Sequence, residues 1–147
     1  MITISCGGNE NLILSRLWEE NRSKCEWLKT HAPQEGMTVN FFDCDDDLLI
    51  GGAVGSVANN WYSLELLHVL PEYRNHRIAT QLMERIESYA EENGLRGIRV
   101  ETWDFQARGF YERLGFRVYG ELDDCPPGTT LYCLKKMAIC VTSISSR

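Results

Sequence analysis

Three basic side chains, Arg74, His76 and Arg77, stand in a short turn between an apolar run and an amphipathic segment. A turn that leads into a helix presents unpaired backbone N–H groups and the positive end of the helix dipole. That geometry holds an anion, most often a phosphate. The sequence therefore predicts a phosphate-bearing ligand at this turn.

The elements on both sides of the turn follow from their apolar patterns. Residues 64–70 are almost continuously apolar, which predicts a strand covered on both faces. Pro71 ends the strand because proline cannot donate to a sheet ladder. From Ile78 the apolar period changes to about 3.6 residues, which predicts a helix over about 77–92. The helix is expected to end at Asn93-Gly94.

The rest of the chain reads as short elements around this unit. Residues 2–6 predict a short first strand, and residues 10–29 predict one or two helices, with a break near 21–23 where Ser23 caps the second piece. Further strands are expected at 38–43, 48–57, 61–70, 96–102, 116–119 and 130–136, and a short helix at 106–114. A strand, a helix and a second strand in so short a chain imply a right-handed crossover with two parallel strands. The prediction is an α/β fold in a single domain, 1–147.

Composition and charge exclude several classes of function. The chain has 147 residues and a net charge of −6, and no apolar run approaches the roughly 18 residues of a membrane span. The acidic balance argues against broad nucleic-acid binding and mildly favours a cationic partner. Residues 1–8 lack signal-peptide features, so we expect a cytoplasmic protein.

The six cysteines show neither C-x-x-C pairs nor zinc-ligand spacing, which predicts reduced, mostly buried thiols and no metal. A catalytic cysteine would need a histidine partner. His31, His68 and His76 are the candidates, and nothing in the sequence ties one of them to a thiol.

Two motifs carry a resemblance to a known family. The first is Val69-x-Pro71-x-x-Arg74-x-x-Arg77-x-Ala79, and the second, further along the chain, is Phe110-Tyr-x-x-x-Gly-Phe116. Together they resemble the GNAT superfamily of acyl-CoA-dependent N-acyltransferases, in a bacterial single-domain branch. The resemblance covers roughly residues 38–137. It implies a mixed, mostly antiparallel sheet with splayed middle strands, flanked by helices, and acetyl-CoA as co-substrate.

The resemblance also implies which residues contact the cofactor. Backbone groups of Leu67, His68 and Val69 are expected to pair with the pantetheine arm as a partial strand does. Tyr111 matches the position whose hydroxyl lies near the CoA sulfur, where it can protonate the departing thiolate. The pyrophosphate loop is expected to comprise Arg74, Asn75, His76, Arg77, Ile78, Ala79 and Thr80.

Two of these positions depart from the pattern of the superfamily. Arg77 stands where glycine is usual, and a positive φ there would cost a side chain about 1–2 kcal/mol relative to glycine. We expect a less well shaped loop that still binds CoA. Asp104 replaces an asparagine that is common before the tyrosine, which leaves its contact with CoA open.

Amine acetylation also needs a group that accepts a proton. Glu65 occupies a position from which some superfamily members draw a general base, and an apolar setting among leucines would disfavour its charged form; the alternative is an ion pair with an arginine. Glu101 is the second candidate; the alternatives are a solvated strand end or an anchor for the substrate ammonium. His68 is expected on the opposite strand face from Glu65, as a packed structural histidine. Trp61 and Trp103 are expected to line the acceptor pocket.

Together with the acidic charge, the resemblance thus implies an N-acetyltransferase that transfers an acetyl group directly to a primary amine of a small cationic molecule, without metal, nucleic acid or membrane. Two alternatives stay open: an acyl-CoA-binding module without turnover, and a protein or aminoacyl-tRNA N-acetyltransferase. The identity of the acceptor and the oligomeric state, including a homodimer, also stay open.

Overall fold

The computed structural model describes residues 8–31 and 48–139, together with the backbone of residues 38–42. The chain separates into two compact units, Met1–Pro33 and Gln34–Arg147. The strand expected at 2–6 lies outside the described residues, and the single domain stays a prediction. No helix in the described ranges is long and apolar enough to cross a membrane.

The first unit contains two helices, α1 (Glu10–Lys24) and α2 (Glu26–Thr30). The break falls at Cys25, which is extended at φ −125° and ψ 116°. Ser23 does not cap the second helix, because its hydroxyl donates to the Glu20 carbonyl at 2.6 Å inside α1. The predicted helices are therefore present, but the predicted cap is wrong.

The second unit is built on a six-stranded sheet. Its elements are β1 (Thr38–Phe42), β2 (Leu49–Ala58), β3 (Trp61–Val69), a 3₁₀ turn (Pro71–Tyr73), α3 (Ile78–Glu92), β4 (Gly97–Trp103), α4 (Arg108–Arg113), β5 (Arg117–Asp123) and β6 (Thr130–Met137). The strand order is β1-β2-β3-β4-β6-β5. Strands β3 and β4 run parallel, and the other neighbouring pairs run antiparallel. The predicted α/β class with a mixed, mostly antiparallel sheet is confirmed.

Helix α3 packs on one face of the sheet and forms the core with it. Its buried side chains recur at helical spacing: Ile78, Leu82, Met83, Ile86 and Ala90. They belong to one cluster with buried residues of the strands, such as Tyr62 and Leu134. Full burial of a large apolar side chain contributes about 1.5–3 kcal/mol. This packing fixes the position of the α3 N-terminus relative to the end of β3.

Strands β3 and β4 are hydrogen-bonded neighbours only at their beginnings. Their pairing runs from Trp61↔Gly97 to Leu64↔Val100, although each strand continues beyond that point. Residues 65–69 of β3 therefore face a gap instead of a neighbouring strand. This is the splay of the middle strands that the resemblance implied.

A β-bulge at Glu65 changes which residues of β3 are buried. Val54 pairs with Leu66 and Gly55 pairs with Leu64, so Glu65 is the extra residue on β3. Leu64 is buried before the bulge and Val69 after it, whereas Leu66 is 64% exposed. The prediction of a strand covered on both faces is wrong, because one face of β3 is exposed. The bulge shifts the alternation of buried and exposed residues by one position, so the apolar residues look continuous in the sequence.

Candidate active site

A cavity of about 360 Å³ opens at the N-terminus of α3. Most of the residues that were predicted to bind the cofactor line this cavity: Val69, Arg74, Asn75, Arg77, Ile78, Ala79 and Thr80. Tyr73 and Phe110 complete its wall. The first helical hydrogen bond runs from the Gln81 N–H to the Arg77 carbonyl at 3.0 Å. The N–H groups of residues 78–80 are thus left without helical acceptors. The cavity has the amides and the dipole end that suit an anion.

The loop before α3 takes two left-handed conformations, at Asn75 (φ 67°) and Arg77 (φ 61°). For a residue with a side chain this conformation costs about 1–2 kcal/mol. The Arg77 side chain is 75% exposed, and its guanidinium lies 3.8 Å from the Glu84 carboxylate. Arg77 therefore adopts the backbone that glycine would supply, while its side chain is mostly exposed to solvent.

The gap-facing edge of β3 offers backbone groups beside this cavity. The Leu70 N–H donates to the Ile50 carbonyl at 2.8 Å on β2. Because antiparallel pairs alternate between bonded and non-bonded, His68 belongs to the set bonded to β2, and Leu67 and Val69 point their backbone groups into the gap. The Arg74 Nε donates to the Val69 carbonyl at 3.1 Å. Of the three residues expected to meet the pantetheine arm, two have backbone groups that face the gap.

A second cavity of about 480 Å³ lies where β3 and β4 separate. We call it the carboxylate cavity, because Glu65 and Glu101 both line it, together with Leu64 and Val100, the last paired residues of the two strands. Trp103 also lines it, as the sequence predicted for an acceptor pocket. The structure thus brings both candidate bases to one site.

The surroundings of Glu65 differ from the expectation. Its side chain is exposed, and Glu65 Oε1 accepts a hydrogen bond from Ser56 Oγ at 2.7 Å. The expected apolar setting is wrong, because strand alternation from the buried Leu64 already places Glu65 on the open face of the sheet. His68 is also exposed, so the prediction of a packed histidine is wrong. The bulge at Glu65 shifts the alternation by one residue and turns His68 away from the core.

A second bulge supplies a residue that sequence reasoning missed. Val118 pairs with Leu134 and Gly120 with Cys133, which leaves Tyr119 as the extra residue of β5. Both bulged residues, Glu65 and Tyr119, line the carboxylate cavity. Bulges often occur next to active sites because they re-aim a side chain. No local pattern marks such a residue in the sequence.

Glu101 lies beside a thiol, with Cys133 Sγ 4.0 Å from Glu101 Oε1. Burial raises the pKa of the Cys133 thiol, the Glu101 carboxylate raises it further, and Arg99 acts in the opposite direction. The pKa is raised overall, so this thiol stays neutral, which disfavours a nucleophilic cysteine.

The described free cysteines are exposed (Cys25) or half-buried (Cys125 and Cys133). The prediction of mostly buried thiols is therefore wrong for these three residues.

Tyr111 is buried in α4, with 4% of its surface exposed. Its ring makes edge contacts with Phe110 and Phe116, at centroid distances of 5.2 and 5.5 Å. Burial raises the pKa of Tyr111 to about 12, so the hydroxyl keeps its proton at neutral pH. Tyr111 lines neither of the two cavities described above. The structure shows a buried phenol that does not lie on either wall.

Asp104 and His76 also lie outside the lining of the α3 cavity. The Asp104 carboxylate accepts from the Thr130 N–H at 3.1 Å, and the Asp104 N–H donates to the Thr130 carbonyl at 3.0 Å. Asp104 thus ties the end of β4 to the start of β6. The His76 Nδ1 lies 3.1 Å from the Tyr73 carbonyl, within the turn that precedes α3.

Most of the chain matches one known protein family. The model of the acetyltransferase (GNAT) family matches residues 10–116. This chain belongs to the GNAT family. The match includes α1 and α2, which the resemblance over residues 38–137 had left out. It confirms the prediction of a GNAT-type acetyltransferase domain.

Named relatives and solved structures agree with membership of the GNAT family. Blasticidin-S acetyltransferase of Streptomyces morookaense is 45% identical over 89 residues, which are 60% of this chain and 65% of that protein. The match therefore spans slightly less than two thirds of that relative. Acetyltransferase Atu2258 of Agrobacterium fabrum is 34% identical over 92 residues, 63% of this chain and 67% of its own length. The structure of an acetyltransferase from Bacillus cereus ATCC 14579 superimposes with a TM-score of 0.84 at 25% identity, over 92% of this chain and 97% of the other.

Proposed function

We propose that this GNAT protein transfers the acetyl group of acetyl-CoA directly to a primary amine. The observation that carries the proposal is the unpaired edge of β3, residues 65–69. This edge begins at Glu65 in the carboxylate cavity and ends at Val69 in the cavity at the α3 N-terminus. An extended thioester along this edge, with its phosphates at α3, would present its acetyl group near the carboxylates.

The residues present suit acetyl-CoA at the α3 end. The N–H groups of residues 78–80 and the helix dipole favour a diphosphate. Arg77 and Arg74 bring permanent positive charge to the same cavity. The backbone groups of Leu67 and Val69 that face the gap can pair with the amides of the pantetheine arm.

The transfer step requires that one proton leave the amine and that the thiolate be stabilised. Glu65 or Glu101, directly or through water, would accept the proton of the attacking amine. Tyr111, with its pKa raised to about 12, is a weaker acid than a thiol, whose pKa is about 8.5. We therefore assign to Tyr111 a hydrogen bond to the departing thiolate, which need not include full transfer of its proton.

For the acceptor we propose a small antibiotic amine, on two grounds. One relative is named for blasticidin-S, and the two carboxylates of the cavity attract an ammonium group. The cavity of about 480 Å³ is within the usual range for small-molecule sites, about 300–1,000 Å³. We expect the reaction in the cytoplasm, with no metal.

The test is release of free thiol from acetyl-CoA, first with blasticidin S and then with a panel of amines, with mass spectrometry of the product. Wild-type protein should release CoA and yield a product heavier by one acetyl group. The double variant Glu65→Gln/Glu101→Gln should lose most of this activity. Glu121→Gln, an exposed glutamate of β5 outside the cavity, is the matched control and should retain it.

Other outcomes point to the alternatives. Calorimetric binding of acetyl-CoA without thiol release across the panel would indicate a binding module. Acetylation of a protein or an aminoacyl-tRNA, with every small amine inactive, would replace the acceptor class. Failure to bind acetyl-CoA would overturn the proposal.

A further inference from the structure

Three cations stand side by side on three neighbouring strands. The sheet register pairs Arg99 of β4 with Lys135 of β6, and Lys135 with Arg117 of β5. Residues directly opposite each other share a sheet face, and like charges in such positions repel. In a chain of net charge −6, this row of positive charge calls for an explanation.

Within the described residues, none of these three side chains forms a salt bridge with a carboxylate. The next residue of β6 behaves differently, because Lys136 Nζ lies 2.8 Å from the Glu87 carboxylate of α3. Successive residues of a strand point to opposite faces, so Lys136 faces the helix and Lys135 faces away from it. Among the described residues, therefore, no ion pair with a carboxylate offsets the repulsion within the row.

Two of the three cations line a cavity of about 260 Å³, which we call the cationic cavity. Its walls are Ala58, Asn59, Trp61, Arg99, Tyr119 and Lys135. Three of them, Ala58, Arg99 and Tyr119, also line the carboxylate cavity. The two cavities are thus adjoining parts of one depression on the sheet face opposite α3.

Contacts within the protein orient the two cations of this cavity, Arg99 and Lys135. The Arg99 Nε donates to Ser63 Oγ at 2.7 Å, which orients the guanidinium. Within the part of the chain that the structure describes, its terminal amino groups have no hydrogen-bond partner and can donate to a ligand. The Lys135 Nζ lies 5.6 Å from the centre of the Tyr119 ring. Arginine with a free edge suits planar or tetrahedral oxyanions because it can donate two parallel hydrogen bonds.

We propose that the cationic cavity binds an oxyanion, a carboxylate or a phosphate, carried by the same amine that is acetylated. This proposal rests on the proposed function. It changes the expected acceptor from a simple cation to a molecule that carries both an amine and a negatively charged oxyanion. Arg99 and Lys135 determine this specificity, and Trp61 and Tyr119 flank the anion with aromatic surface. Binding also relieves the repulsion between the two cations.

The strands set the spacing between the two charges of the acceptor. Arg99 lies two residues from Glu101 on β4, and Trp61 lies four residues from Glu65 on β3. At about 3.3 Å per residue, the anion should lie about 7–13 Å from the reacting amine.

The experiment compares acceptors that differ only at the anion. We would measure kcat/KM for a series of unbranched ω-amino carboxylates of graded length, for their methyl esters, and for aminoalkyl phosphates of the same lengths. Wild-type protein should prefer an oxyanion over the matching ester by about tenfold or more, which corresponds to about 1.4 kcal/mol. The preference should be greatest when the two charged groups lie about 7–13 Å apart. Whether the carboxylate or the phosphate series is better identifies the anion.

Substitutions test whether the cationic cavity causes the preference for the oxyanion over its ester. In Arg99→Gln and in Lys135→Gln, the ratio of kcat/KM for the oxyanion to that for its ester should fall toward one. Arg117→Gln is the matched control, because Arg117 belongs to the same row but does not line the cavity, and its ratio should remain that of wild type. Equal kcat/KM for acid and ester in wild type, or the same fall in Arg117→Gln, would overturn the proposal.

The proposed function can fail separately. If no amine releases CoA from acetyl-CoA, calorimetry with the best-matched ω-amino carboxylate and its ester still decides about the cavity. Binding of the acid that is lost in Arg99→Gln, with no binding of the ester, supports the oxyanion subsite. If neither compound binds to wild type, the subsite is wrong.

Discussion

At the scale of single residues, Tyr111 is set apart by burial among aromatic rings, with 4% of its surface exposed. If its phenol donates to the departing thiolate, Tyr111→Phe should lower kcat by about 100-fold. The affinity for acetyl-CoA should stay the same, because the ring and its edge contacts remain. Steady-state kinetics and calorimetry with acetyl-CoA check both parts. An unchanged kcat would remove Tyr111 from the mechanism.

The two carboxylates of the cavity can be separated by their effect on the pH dependence. For Glu65→Gln we expect the profile of kcat/KM against pH to move toward higher pH, since solvent must then take the proton of the amine. For Glu101→Gln we expect mainly a higher KM, as for a lost anchor of the substrate ammonium. Glu121→Gln is the control. If Glu65→Gln leaves the profile unaltered, the base is Glu101 or a water molecule.

How well single residues could be predicted depends on whether their signal is local. A basic turn before an amphipathic helix is a continuous pattern, so the sequence indicates the stretch from Arg74 to Thr80. All of these residues except His76 line the cavity at the α3 N-terminus, and their contact with CoA stays a prediction. Tyr119 and Lys135 were missed, because a bulge and a cross-strand register arise only from pairing between distant segments. The role of Glu65 stays a prediction. Its exposed environment is not predicted, because a nearly continuous apolar run does not show which face of the strand is covered.

At the scale of elements, the loop before α3 carries a strain that one substitution can test. Arg77→Gly supplies a residue that adopts φ 61° without steric cost, but it also raises the conformational entropy of the unfolded chain. Because the two effects oppose each other, the free energy of unfolding should change by about 1 kcal/mol or less. The loss of a cation at the diphosphate should weaken acetyl-CoA binding at low salt, and the difference from wild type should shrink at high salt.

The matched control for this loop is Arg77→Lys, which keeps the charge and the side chain in the left-handed position. Its acetyl-CoA affinity should lie near that of wild type at both salt concentrations. Calorimetry at two ionic strengths checks the pair. Tighter binding by Arg77→Gly at low salt would show that the arginine obstructs the cofactor.

Elements were predicted more reliably than the faces they present. Helix α3 was expected over about 77–92 and spans Ile78–Glu92, because its apolar stripe has an unambiguous period. For β3 the run of leucines gave the strand correctly but not its exposed face. The break between α1 and α2 was placed too early, because Ser23 bonds to its own helix where the sequence suggested a cap.

At the scale of the whole molecule, two buried phenols link stability to alkaline pH. Tyr62 is fully buried and Tyr111 nearly so, and burial is the main cause that raises the pKa of each to about 12. In the unfolded chain a tyrosine pKa is about 10. The native state thus keeps protons that the unfolded state loses. The stability that these two tyrosines contribute is therefore complete below about pH 10 and is lost as the pH rises toward about 12.

We expect the free energy of unfolding, measured by urea titration, to fall between about pH 10 and pH 12 by about 1–3 kcal/mol for each of these tyrosines. Tyr111→Phe should remove its share of this slope, because phenylalanine has no proton to lose. Tyr119→Phe, which changes a ring that is 51% exposed, serves as the control and should keep the wild-type slope. If Tyr111→Phe lost stability with pH as steeply as wild type, the buried phenol would not be the source of the alkaline sensitivity.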